Sequence, residues 1–294
     1  MKKVLCLGAG LVARPYVHYL SDHDFHVIVA SRTKEKAERL IKGFKNAEAV
    51  EFNIATDDEL LFKLIREADL VCSLLPYVFH VKAAEVAIQH KKPFCTTSYI
   101  SDEMKALDEE AKAAGILLLN ECGVDPGIDH MSAMKIIDEV HEKGGKVLSF
   151  TSFTGGLPAP DANDNPFGYK VSWSPRGVLL AGRNDAHFLK DGEEVSIPGP
   201  ELFDHCEDMD IPGMGRFEGY PNRDSLSYID IYDIPEVKTM LRGTLRNIGW
   251  CETLKKIADL GLLSVEERSL GGMSYSEMLR QLVDDGEDVV QAVA

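Results

Sequence analysis

Residues 4–20 read VLCLGAGLVARPYVHYL. An apolar run, Val4 to Leu7, stops at Gly8, and a helical pattern opens near Ala13. Between them Gly8, Gly10 and Ala13 fall at the spacing G-x-G-x-x-A. Gly8 permits a tight turn, Gly10 lets the backbone approach a pyrophosphate, and the small Ala13 lets helix and strand pack closely. A phosphate there meets the N–H groups of Leu11 and Val12 at a helix start, where the dipole favours an anion. Such spacing alone is a weak signal; first in the chain, after a strand and opening a helix, it is a strong one. Pro15 removes one backbone hydrogen bond near the start of that helix, and the residues give no physical reason for it.

Working outward, the runs KVLCLG, FHVIVAS, AEAVEFN, ADLVCSLL, PFCTTS and ILLLNE alternate with charged, periodic stretches such as KEKAERLIKGF and DELLFKLIREA. Strands apolar on both faces, separated by helices, are the mark of βαβ units in a parallel sheet. The expected fold is α/β: a Rossmann-type doubly wound parallel sheet over residues 1–124, then an α+β domain over 125–294. That second part opens with DPGIDHMSAMKIIDEVHEKGG, which predicts a connecting helix over 125–143, with Asp125 as cap, Pro126 in the first helical position and Gly144 as stop. Residues 146–235 read as mainly β, from KVLSFTSFT, YKVSWS and GVLLAG between Gly/Pro-rich loops; 236–294 read as helical.

Composition narrows the function classes. The 294 residues are 45% hydrophobic, enough for buried cores, and carry a formal net charge of -16. That charge repels nucleic acid and anionic membrane, and an acidic substrate would need a local cluster of cations. No run approaches the roughly twenty apolar residues of a bilayer span, and Lys2 and Lys3 lead into a stretch broken by Gly8 and Gly10, unlike a signal peptide. A cytoplasmic protein is expected. Cys6, Cys72, Cys95, Cys122, Cys206 and Cys251 show no metal-ligand spacing and imply neither metal nor disulfide framework; the first four read as buried free thiols beside apolar strands. His18, His130 and His141 fall on expected helices without a partner spacing for metal or a nucleophile triad.

The strand VIVASRT, residues 27–33, decides the cofactor. About twenty residues beyond the first glycine an acid normally accepts the adenosine ribose hydroxyls. Here Ser31, Arg32 and Thr33 stand instead. Two hydroxyls and a guanidinium fork suit a 2'-phosphate, so NADP(H) is expected over NAD(H). The blander reading, that Ser31 or Thr33 caps the next helix, is compatible with it.

GAGLVARP, ASRT, TTSYIS, NECGVDPGIDHMSAMKIID, FTGGLPAPDANDNPFGYKVSWSPRGVLLAGRN, YPNRDS and RGTLR together resemble the saccharopine dehydrogenase family, specifically its NADP-dependent, L-glutamate-forming branch, over residues 2 to about 263. The resemblance implies oxidation of a secondary amine: saccharopine, NADP+ and water give L-glutamate, 2-aminoadipate 6-semialdehyde and NADPH, with the reverse direction serving lysine biosynthesis. It implies that Asn53, Ile54, Leu74, Thr96, Thr97, Gly123, Val124, Asp125 and Ser174 join the glycine turn and Ser31, Arg32 and Thr33 around the cofactor. For the substrate it implies Ser98, Tyr99, Asp125, Trp173, Arg223, Thr244, Leu245 and Arg246, with Asp125 and Tyr99 as the catalytic candidates.

Each assignment has a plainer competitor. Ser101 is the better cap for DEMKALDEEA, leaving Ser98 and Tyr99 for other work. Asp125 is by itself a helix cap, and Trp173 by itself packs with Tyr169 and Val171 on a strand face. Arg223 and Arg246 are the first choices for three substrate carboxylates, while Arg242 either joins them or simply faces solvent on the helix that follows Pro235. Thr154 departs from the family, which often has Cys before GGLPAP. Members of the family continue beyond position 294; without their returning strands an exposed sheet edge would favour association, of which a homodimer is one form. Two alternatives stay open: a catalytically silent NADP-binding module, and a carboxynorspermidine dehydrogenase type of imine reductase, whose cationic substrate would want acids where Arg223 and Arg246 stand.

Overall fold

The computed structural model describes residues 1–267, 269 and 271–282. The chain divides into two compact units, one ending at Met134 and the other beginning at Lys135.

In the first unit the strands are β1 (Lys3–Leu7), β2 (His26–Ser31), β3 (Ala47–Glu51), β4 (Leu70–Ser73), β5 (Phe94–Thr96) and β6 (Leu118–Leu119). Between them run α1 (Ala13–Asp22), α2 (Lys34–Leu40), α3 (Asp58–Glu67), α4 (His80–Gln89), α5 (Asp102–Ala106) and α6 (Asp108–Ala114). All six apolar runs are strands. Their order is β3-β2-β1-β4-β5-β6 and every pair is parallel, the Rossmann arrangement. Alternate residues of β1 show why the runs are apolar throughout. Leu5 and Leu7 enter a core with Ile28, Phe52 and Phe94, whereas Val4 and Cys6 enter another with Val17, Val27 and Val29. The order reverses between β1 and β4, so ligands are expected at the carboxyl ends of those strands.

The helix α7 (Ile128–Glu142), within which the two units divide, starts later than the sequence implied. Asp125 is not its cap. Residues Gly123 to Gly127 form a closed loop: the Gly123 amide donates to the Pro126 carbonyl at 2.9 Å, the Ile128 amide to the Gly123 carbonyl at 3.0 Å, and the Asp125–Pro126 peptide is cis. Gly127, at φ +147, lies outside the helical region, so the helix begins only beyond it.

The second unit holds β7 (Ser149–Thr154), β8 (Ala186–Lys190), β9 (Glu193–Ile197), β10 (Glu207–Ile211), β11 (Gly215–Pro221) and β12 (Thr239–Arg246). With them come α8 (Pro175–Ala181), α9 (Ser227–Ile231), α10 (Trp250–Asp259) and α11 (Tyr275–Leu282). The sheet order is β10-β11-β12-β8-β9, with β7 parallel to β12 and the other pairs antiparallel.

Three expectations here are corrected. YKVSWS is irregular and GVLLAG belongs to α8, because Ser174 caps that helix by accepting from the Gly177 amide at 3.1 Å and Pro175 takes its first position. Residues 239–246 are a strand rather than a helix: Met240, Arg242, Thr244 and Arg246 are buried, while Leu241 and Leu245 are less so. Two arginines on the buried face disguise the alternation. Finally, Cys206 and Cys251 are joined in a disulfide across 45 residues, which no local spacing announces. Cys6 and Cys72 are buried thiols as expected, Cys95 is partly exposed and Cys122 exposed. The helix expected over SYSEMLRQLVDDGEDVVQAV begins as α11, and residues 283–294 lie outside the described residues.

Candidate functional site

At the end of β1, Gly8 has φ +111 and donates its amide to the Ala30 carbonyl at 2.8 Å. A Cβ there would stand 2.9 Å from the Leu74 carbonyl oxygen, so the turn demands glycine. Gly10 is different: its Cβ would meet nothing within 4 Å, which leaves the backbone open to a ligand. Ala13, the first residue of α1, is fully buried, as close packing of helix on strand requires. No side chain caps α1, and Leu11 and Val12 are exposed at its start. An open glycine turn before an uncapped helix fits a pyrophosphate.

At the end of β2, Thr33 occupies the cap position of α2 without making a side-chain cap bond. Its amide donates instead to Ser31 Oγ at 3.3 Å. Arg32 and the Thr33 side chain are exposed, as an adenosine phosphate would require. Beyond β3, Asn53 Oδ1 accepts from the Ala55 amide at 3.1 Å. Ile54 is buried in the core and its carbonyl accepts from Lys82 Nζ at 2.8 Å, so this residue presents backbone, not side chain.

A polar network ties the ends of β4 and β5. His80, the first residue of α4, is 4% exposed. Its Nδ1 lies 2.9 Å from Ser73 Oγ, and its Nε2 lies 2.8 Å from Ser98 Oγ and 3.1 Å from Thr96 Oγ1. Burial pulls its pKa down to about 4, so the ring is neutral near pH 7. Thr96 is 1% exposed and its hydroxyl donates to the Ser73 carbonyl at 3.0 Å, so its side chain braces this edge from behind rather than lining it. Thr97 lies against Gly123: a Cβ on that glycine would stand 3.2 Å from the Thr97 Cβ. Next along the chain, the Tyr99 hydroxyl donates to Asp125 Oδ1 at 2.7 Å, joining the two catalytic candidates. Val124 beside Asp125 is exposed, and Ser101 caps α5 as expected, accepting from the Met104 amide at 3.2 Å. His80 escaped the sequence reading. A lone histidine carries no spacing signal, and only its place at the start of the helix that follows β4 could have drawn notice.

In the second unit the candidates gather along β12. Arg246 is 7% exposed, with its guanidinium carbon 5.1 Å from the ring centroids of both Tyr169 and Trp250. One of its terminal nitrogens donates to the Leu245 carbonyl at 3.0 Å, and its Nε has no hydrogen-bond partner. No carboxylate among the described residues pairs with it. Arg242 is also buried, not solvent-facing, with its guanidinium 4.3 Å from the Tyr228 ring centroid. Thr244 shares their buried face and Leu245 points the other way. Arg223 is exposed on the loop between β11 and α9, its carbonyl accepting from the His187 amide at 2.9 Å. Trp173 is 41% exposed rather than core, and its indole N–H donates to the Tyr169 hydroxyl at 3.0 Å. Ser174 spends its hydroxyl as the α8 cap.

Comparison with known proteins accounts for both units. Residues 4–119 match the family model described as the saccharopine dehydrogenase NADP binding domain, and residues 123–293 match the saccharopine dehydrogenase C-terminal domain. The chain belongs to the saccharopine dehydrogenase family. Its first unit is the family's NADP-binding domain. It is 48% identical over 268 residues to the saccharopine dehydrogenase (NADP+, L-glutamate-forming) of Pyricularia oryzae, covering 91% of this chain and 59% of that one. With the enzyme of the same description from Saccharomyces cerevisiae the identity is 44% over 283 residues, covering 95% and 63%. The solved apo saccharopine dehydrogenase (L-Glu forming) from Saccharomyces cerevisiae superposes with a TM-score of 0.84 at 42% identity, covering 100% of this chain and 67% of that one. The chain thus spans about three fifths of the length of the curated family members it matches.

Proposed function

We propose that this chain catalyses the NADP-dependent interconversion of saccharopine and water with L-glutamate and 2-aminoadipate 6-semialdehyde. The observation that carries the substrate assignment is Arg246, a buried cation without a carboxylate partner among the described residues. Burying an unpaired guanidinium is costly, and the cost is relieved when an anionic ligand docks. A tricarboxylate is such a ligand; a polyamine is not. Arg246 and Arg223 would hold substrate carboxylates in bidentate fashion, and Arg242 joins them as a third candidate.

NADP+ would be held by the Gly8–Gly10 turn and the start of α1, with Arg32 on its 2'-phosphate, and would supply the hydride acceptor. Asp125, oriented by the Tyr99 hydroxyl, would bind the cationic secondary amine of saccharopine and hold it in place. Ser98 would donate a hydrogen bond to the substrate, and Trp173 would offer it an apolar face. Among the described residues no helix is long and apolar enough to cross a membrane, and a cytoplasmic setting belongs to this same reading.

The test is direct. Purified protein is mixed with saccharopine and either NADP+ or NAD+, and reduction is followed by absorbance. Turnover preferring NADP+ supports substrate and cofactor together. Equal use of NAD+ would remove the Arg32 argument and leave the substrate. NADPH binding without turnover would favour the silent binding module.

A further inference from the structure

The hydrogen-bond directions around His80 can be worked out from the network itself. A threonine hydroxyl has one proton, and that of Thr96 is committed to the Ser73 carbonyl at 3.0 Å. Toward His80 Nε2, at 3.1 Å, the Thr96 oxygen can therefore only accept. The Nε2 must carry the ring's proton, which it shares between Thr96 Oγ1 and Ser98 Oγ, the latter at 2.8 Å. In a neutral imidazole Nδ1 is then an acceptor, and the Ser73 hydroxyl donates to it at 2.9 Å. The opposite tautomer would set two acceptors, Nε2 and Thr96 Oγ1, against each other. The chain of donors thus runs one way, from Ser73 through His80 to Ser98. Ser98 receives a hydrogen bond from inside the protein and keeps its own proton for something outside it.

We propose that His80 is a positioning residue, fixed as the neutral Nε2–H tautomer, which holds Ser98 with its hydroxyl proton directed outward as a donor to a substrate oxygen. The role rests on the proposed reaction, because Ser98 matters only if a ligand with an acceptor oxygen docks beside it. A buried histidine that merely braces β4 against α4 would influence stability and leave KM unchanged.

The experiment has two arms. In the first, nitrogen-15 correlation spectra of the labelled protein read the tautomer across pH about 5.5 to 8. The expected spectrum shows a neutral Nε2–H ring throughout, and Ser98→Ala shifts the Nε2 resonance while leaving Nδ1 in place. A Nδ1–H ring, or one titrating near its ordinary value, overturns the proposal. The second arm is kinetic. His80→Leu is expected to raise KM for saccharopine about tenfold, the worth of one hydrogen bond, without changing NADPH affinity. His80→Gln, whose amide can donate to Ser98, should bring KM back to within about threefold. The double variant His80→Leu with Ser98→Ala should be no worse than Ser98→Ala alone. Multiplied losses would mean that His80 does not act through Ser98. If His80→Leu fails to fold, the Gln variant and the spectra still decide. A wild-type protein with the expected spectrum but no turnover of saccharopine refutes the reaction and leaves the positioning of Ser98 intact.

Discussion

The two units meet negative charge by different physical means. No Asp, Glu, Lys or Arg is buried in the first; its buried polar groups are Ser21, Ser73, His80 and Thr96, all uncharged. What it offers an anion is backbone, an open glycine turn and a helix start, together with the exposed Arg32. In the second unit Glu218, Arg242 and Arg246 are all buried. Glu218 spends its carboxylate on the amides of Gly249 and Cys251, at 2.5 and 2.8 Å, at the start of α10, and the two guanidinium groups lie on aromatic faces. Dipoles fixed by backbone need no counter-ion in the empty state, whereas a buried cation does. The first unit should therefore be sensitive to shape and proton balance, the second to loss of charge and to anything that loosens its fold.

That contrast can be broken in three ways. The largest effect is expected from the Cys206–Cys251 link, which closes a loop across 45 residues. Loop-closure entropy puts its contribution at about 4 kcal/mol. Thiol reduction, or Cys206→Ser, should lower the unfolding transition of the second unit and leave that of the first unchanged. A parallel fall in both transitions would deny the units their independence.

Acid should do the reverse. The His80 pKa falls from 6.5 to about 4 through burial, so the unfolded chain takes up the proton first. Stability from this group is complete above about pH 6.5 and is lost as pH falls toward 4, on the order of 3 kcal/mol in all. Calorimetry of His80→Gln should show that portion of the acid profile removed from the first unit. An unchanged profile would mean that the buried ring does not govern it.

Third, Arg246→Ala should lower kcat/KM for saccharopine roughly 100-fold, while the dissociation constant for NADPH stays within about twofold. Arg246→Lys should recover only part, since an ammonium lacks both the fork and the flat stack on Trp250. An equal loss with alanine and lysine would show that the plane of the group matters more than its charge.

The first unit was legible strand by strand because its sheet is covered on both faces, and uninterrupted apolar runs mark such strands. The second was not. In β12 the buried side chains on alternate positions are Met240, Arg242, Thr244 and Arg246, so hydrophobicity does not report burial there. The strand pair β8 and β9, AHFLK and EEVSI, carries charges at its ends that hide short alternations. At the candidate site, Gly8, Gly10, Ser98, Tyr99 and Arg246 were singled out from motif and resemblance. His80 and the buried Arg242 were not, because what distinguishes them is a neighbour brought up by folding, not a residue nearby in sequence. The expected cap at Asp125 failed for a related reason: an Asp-Pro pair announces a helix start, but the Gly123–Gly127 loop takes both residues for itself.

One backbone angle sets a cost in stability against binding. Arg223 sits at φ 56, the left-handed region, where a side chain costs about 1 to 2 kcal/mol that glycine avoids. Arg223→Gly should accordingly raise the unfolding midpoint of the second unit slightly, or leave it unchanged, while weakening saccharopine binding. If both results hold, the Arg223 side chain trades fold stability for binding.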